Sequence, residues 1–107
     1  MKSEQTFASS PKEILVAARR IIDNLGWGQF ELYNIVDGKH INFCALGAIS
    51  VVQKTDYLIE YGALSRLQVV IDSKYNFKYN SISAWNDAVG RTKKEVLAVF
   101  DKAIEEA

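Results

Sequence analysis

The sequence predicts a mainly α-helical (α+β) domain, with about five helical segments around one buried helix and one small β-hairpin. Three observations predict it. Apolar residues recur at intervals of three and four over most of the chain, Ser/Thr-x-x-Glu signatures mark two helix starts, and the one strand-rich stretch is broken by Asp37-Gly38. At 107 residues the chain is one domain by size, and 49 % hydrophobic with 24 % charged content is ordinary for a folded globular chain. Residues 1–9 read as a flexible leader and residues 10–107 as a single globular domain.

Ser10-Pro11-Lys12-Glu13 is a capping box with proline in its favoured first helical position. From there Ile14, Leu15, Ala18, Ile21, Ile22 and Leu25 form one apolar face, and Gly26 is the stop. Asp37-Gly38 then signals a type I′ turn. A two-residue loop pairs Val36 with Lys39, Asn34 with Ile41 and Leu32 with Phe43. That register puts Leu32, Ile41 and Phe43 on the core side and Tyr33, Ile35, His40 and Asn42 on the other. A lone hairpin is marginal, so it must lie on helices.

Phe43 to Lys54 is apolar nearly all round, as a central helix would be. Gly47 inside it costs about 1 kcal/mol against alanine, so a close packing contact is expected there. Thr55 or Asp56 can cap a helix from Tyr57 to Ser73. Its inward stripe reads Leu58, Tyr61, Leu64, Gln68 and Ile71, widened by Leu67 and Val70. Asp72 to Asn80 is the least regular segment. Ser81 can cap a short turn from Ile82 to about Asp87. Gly90 supplies a residue free to take positive φ. Thr92 and Glu95 form the second capping box, ahead of a helix from Lys93 to about Glu105 with Val96, Val99, Phe100, Ala103 and Ile104 inward.

Thirteen basic residues balance thirteen acidic ones. A net charge of zero argues against an electrostatically driven nucleic-acid binder and leaves self-association less opposed. One cysteine allows no internal disulfide. Met1 to Ser9 is polar with no apolar signal core, and no apolar run reaches membrane-spanning length. A reduced, cytoplasmic location is the expectation.

Three pieces taken together carry a resemblance: Gly26-Trp27-Gly28-Gln29; Phe43-Cys44-Ala45-Leu46-Gly47-Ala48; and Trp85-Asn86-Asp87 with Gly90-Arg91-Thr92, Glu95-Val96-Leu97 and Asp101-Lys102-Ala103-Ile104. From about Pro11 to the C-terminus the chain resembles an uncharacterised family, a domain of unknown function, of small bacterial, often actinobacterial, and phage proteins. The resemblance carries no activity. It implies a phage or prophage setting, an accessory role, and the host cytoplasm if phage-encoded. The chain departs from the usual pattern in a shorter connection from Trp27 to Phe43 and in the aromatic Asp72–Asn80 segment.

Little in the residues speaks for chemistry. Cys44 and His40 are the one nucleophile–base pair, and a helix N-terminus can lower a thiol pKa. Free cysteine is also among the most buried residue types. One His and one Cys do not make a metal site, no glycine loop cradles phosphate, and no cofactor is implied. Lys74-Tyr75-Asn76-Phe77-Lys78-Tyr79-Asn80 interleaves bases and aromatics like a stacking platform, or is a linker whose aromatics pack back on the core. Trp27, Gln29, Trp85, Asn86, Asp87 and Arg91 offer a ligand- or partner-binding surface, provided the Trp27 and Trp85 segments converge. The other reading of the Trp85 stretch is a local network: a buried Trp85 indole needs an acceptor, Asn86, Asp87 and Arg91 are near in sequence, and these groups satisfy one another and tie the turn together. The first expectation is therefore non-catalytic binding to a host protein or to itself. The second is a small polar ligand or nucleotide binder, and the third a cysteine-dependent enzyme.

Overall fold

The computed structural model describes residues 10–52 and 57–107. The expected leader and the expected Thr55/Asp56 cap lie outside the described residues. The elements run α1 (Pro11–Leu25), β1 (Tyr33–Val36), β2 (Lys39–Phe43), α2 (Ala45–Val52), α3 (Tyr57–Lys74), α4 (Ile82–Asn86) and α5 (Lys93–Glu106). The fold is mainly α with one two-stranded antiparallel hairpin, as the sequence predicts.

Local chemistry sets the helix starts. Ser10 Oγ accepts the Glu13 amide at 3.2 Å, with Pro11 in the first turn of α1. Ser81 Oγ accepts the Ala84 amide at 3.0 Å and starts α4. At α5 the box is reciprocal: Thr92 Oγ1 accepts the Glu95 amide, and Glu95 Oε1 accepts the Thr92 amide. Gly90, with φ of 84°, turns the chain into that cap.

The core is built from Ile14, Leu15, Ala18 and Ile22 of α1, Ala45, Ala48 and Ile49 of α2, Ala63, Leu67, Val70 and Ile71 of α3, Trp85 of α4, and Val96, Val99, Phe100 and Ala103 of α5. α2 packs on α1, α3 and α4, while α1 also touches α5, α3 and β2. A charge-paired clamp closes the α1–α5 edge, where Arg19 Nε meets Asp101 Oδ1 at 2.6 Å and Nη2 meets Oδ2 at 3.3 Å. Gly47 has the expected contact: a Cβ there would fall 1.9 Å from the Leu32 carbonyl oxygen. The hairpin therefore rests directly on the α2 backbone.

Four expectations need correction. Ile41 is an extra residue in the hairpin. Val36 pairs with Lys39 and Ile35 with His40, but then Asn34 pairs with Asn42 and Tyr33 with Phe43. Such a bulge moves later side chains to the other face, so Leu32 and Ile41 are exposed and of that trio only Phe43 reaches the core. Second, the helix expected from Phe43 begins at Ala45, because the Phe43 amide and carbonyl are engaged with Gly26 and Gly28. Third, the α3 stripe is shifted at its N-terminal end: Leu67, Val70 and Ile71 face in as expected, joined by Ala63, and Leu64 packs against the core, while Leu58 and Tyr61 face out. Leu25 of α1 is likewise exposed. Fourth, α3 runs to Lys74 before Asn76 and Phe77 break it with φ of 55° and 58°.

Candidate functional site

The Trp27 segment runs beside β2 as a short parallel bridge. The Phe43 amide donates to Gly26 O at 3.0 Å and the Gly28 amide to Phe43 O at 3.1 Å. This pairing lays the 27–30 loop against the end of α4, so the two tryptophan-bearing segments converge.

Asn86 is the junction, fully buried at the last residue of α4. Its Oδ1 accepts from Trp27 Nε1 at 2.8 Å and from the Ala45 amide, the first of α2, at 3.0 Å. Its Nδ2 donates to Gly28 O at 3.1 Å and to Asp87 Oδ1 at 3.0 Å. One side chain thus ties the Trp27 loop, α2 and α4 together with its full hydrogen-bonding capacity. Gln29 Nε2 adds bonds to the Asn86 and Ala88 carbonyls at 3.1 and 3.0 Å. Asp87 Oδ1 also accepts the Phe30 amide at 2.9 Å.

Arg91 serves a second, neighbouring cluster. Its side chain is only 6 % exposed. Nε donates to Trp85 O at 2.9 Å, and Nη1 reaches Tyr75 Oη at 3.3 Å and Glu95 Oε1 at 3.4 Å. The guanidinium carbon lies 4.6 Å from the Tyr75 ring centroid, 4.8 Å from Trp85 and 5.4 Å from Tyr79. Cation–π attraction of this kind grows where water is excluded. Tyr75 and Tyr79, two aromatics of the supposed stacking platform, are thereby packed back on the core.

Of the six residues singled out from sequence, Trp85, Asn86 and the Arg91 side chain are withdrawn from solvent, and Trp27, Gln29 and Asp87 are half-buried. The acceptor expected for the Trp85 indole is a correction: Asn86 serves Trp27 instead. Trp85 Nε1 and Arg91 Nη2 have no hydrogen-bond partner among the described residues. The residue that sequence reasoning passed over is Phe30. It holds φ of 75°, unusual for an aromatic residue, and is 71 % exposed. A cavity of about 270 Å3 beside it is lined by Glu31, Leu32, Cys44, Ser83 and Asp87 as well as Phe30 itself.

Cys44 Sγ accepts the Gly47 amide at 3.3 Å, and burial pushes its thiol pKa up, against the lowering expected of a helix start. The His40 ring stacks on Phe43 at 5.3 Å and meets Tyr33 edge-on at 4.6 Å. Among the described residues no three His, Cys, Asp or Glu side chains gather as metal ligands, and no helix is long and apolar enough to cross a membrane.

Comparison with curated proteins and with solved structures returned no match. A family model matches residues 6–106, and the chain belongs to that family, a family of unknown function (DUF6197).

Proposed function

We propose that this chain acts by non-catalytic binding to another protein, in the phage- or prophage-type accessory role implied by the sequence resemblance, in the host cytoplasm. Its recognition surface is the rim of the Asn86 junction, with Phe30 at its tip. The single observation that carries this reading is Phe30 itself. A phenylalanine held in a left-handed conformation costs of order 1–3 kcal/mol and persists only where its surroundings impose it. Here Asp87 fixes its amide while the ring stands in water. A rigid, exposed aromatic on a braced loop is the form that binding hot spots take. Trp27, Gln29, Asn86 and Asp87 hold the loop, and Trp85 and Arg91 brace the turn behind it.

At the rim of the Asn86 junction a small polar ligand or nucleotide finds less room. The cavity beside Phe30, at about 270 Å3, falls just below the range of about 300–1,000 Å3 usual for ligand sites. For the third reading, a nucleophile must be reached and ionised, and the Cys44 thiol is buried with its pKa raised.

The test is Phe30→Gly, which removes the ring and relieves the backbone, so the fold is kept or stabilised. Full-length wild type and variant are compared by affinity capture from host lysate, and the affinity of the captured protein is then measured. Loss of about 2 kcal/mol, roughly thirtyfold, is expected for a hot-spot aromatic. The same protein bound equally by both forms would overturn the surface. A thermal shift with nucleotides, where a ligand at a hundredfold its Kd adds about 2.7 kcal/mol, would favour the ligand reading instead.

A further inference from the structure

The outer side of α3 is apolar where a solvent-facing helix side is ordinarily charged. Ala63, Leu67, Val70 and Ile71 face the core. At 100° per residue, the diametrically opposite line holds Leu58, Tyr61, Ser65, Val69 and Asp72. Leu58 is 82 %, Tyr61 70 % and Val69 59 % exposed. No Lys, Arg or Glu lies on that line, and its one charge, Asp72, accepts from Gln68 Nε2 at 2.8 Å. Phe77 extends the line just past the end of α3, its backbone at φ of 58°. Two open grooves, of about 510 and 370 Å3, run along this side and share Val69 and Asp72, so the surface is continuous.

We infer that a second copy of this chain docks here, α3 against α3 and antiparallel, with the two-fold axis at Ser65. An isologous interface must be self-complementary about its axis. Successive residues of the line are three, four, four and three apart, a spacing that reads the same in both directions from Ser65. The axis sets Tyr61 of each copy on Val69 of the other, and the small Ser65 side chains let the helices approach. Asp72 falls beside Leu58 and its neighbour Tyr57, whose phenol gives the carboxylate a donor. A net charge of zero puts no repulsion between the copies. Tyr57, Tyr61 and Phe77 are each more than two-thirds exposed. At about 150–250 Å2 per aromatic side chain, they supply roughly half of the ~800 Å2 per partner of a standard interface. Leu58, Val69 and the groove walls supply the rest. The inference uses different residues from the Phe30 surface and does not rest on it.

Sedimentation equilibrium of the full chain at micromolar concentrations tests it, with a mass of twice the 12.0 kDa chain expected. Val69→Glu, an exposed change that leaves the core untouched, returns the mass to that of one chain without lowering the melting temperature. Ser65→Cys cross-links to its symmetry mate on oxidation, whereas Arg66→Cys, off the line, does not; native Cys44 is buried and takes no part. A single-chain mass for wild type overturns the inference, whatever else covers the stripe. So does a dimer that survives Val69→Glu, or equal cross-linking by the two cysteine variants. None of these results touches the Phe30→Gly comparison.

Discussion

Asn86→Ala is the sharpest perturbation of the junction. The substitution strips partners from Trp27 Nε1, the Ala45 amide, Gly28 O and one Asp87 contact. Ala45 is fully buried, so its N–H is left unsatisfied out of reach of water. Such a group costs about 1–3 kcal/mol, and each of the half-buried bonds contributes about 1 kcal/mol net. A loss of about 4–6 kcal/mol follows, set against a total stability of about 5–15 kcal/mol for a domain of this kind. Urea denaturation followed by circular dichroism reads it directly. With a slope of about 2 kcal/mol/M the midpoint falls by about 2–3 M at unchanged slope. Asn86→Asp keeps the acceptor but loses the donor and sets a second carboxylate against Asp87, so its deficit grows as pH rises through the carboxyl range. A midpoint shift below about 0.5 M for Asn86→Ala would refute the assignment of Asn86 as the tie between loop, α2 and α4.

Gly47→Ala gains helix propensity but places a methyl group within 1.9 Å of the Leu32 carbonyl. It is expected to lose about 1–3 kcal/mol by overpacking, measured in the same urea assay. Gly90→Ala, with open space around it but φ of 84°, loses about 1–2 kcal/mol from backbone strain alone. The Glu95 carboxyl is held below its ordinary pKa, chiefly by the Thr92 amide, with smaller help from Arg91 and against a desolvation penalty. A depressed folded-state pKa means that its contribution is whole above the ordinary carboxyl range and is lost as pH falls through the depressed value. Because the carboxylate is nearly half exposed, screening keeps the effect below about 1 kcal/mol. Glu95→Gln should therefore flatten the acid limb of the stability profile and leave the alkaline limb unchanged.

The sequence was most legible where structure is locally determined. The Thr92–Glu95 box, Ser10-Pro11, the Asp37-Gly38 turn and the positive φ of Gly90 each depend on a few neighbouring residues, and each is present. Tertiary choices were not legible. Nothing in Asn34 or Ile41 announces a bulge, whose register is set by the Asn34–Asn42 side-chain bond at 2.7 Å and by the fit of Phe43 into the core. α3 has apolar residues on both sides, so periodicity alone could not choose which one faces in. At the junction, the residue types were legible but not their pairing. Asn86 and Trp85 are adjacent in sequence, yet helical geometry sends Trp85 into the core and leaves Asn86 to Trp27, 59 positions away. Phe30 could not be found from sequence, because its distinguishing feature is a backbone angle imposed from Asp87.

Native-state hydrogen exchange, followed by NMR at the Trp27 indole N–H and the Ala45 amide, tests most directly whether the loop and the turn move as one body. Both protons are expected to exchange only through global unfolding, at the free energy that urea denaturation gives. A Trp27 indole that exchanges freely while core amides of α1 and α5 stay protected would contradict it.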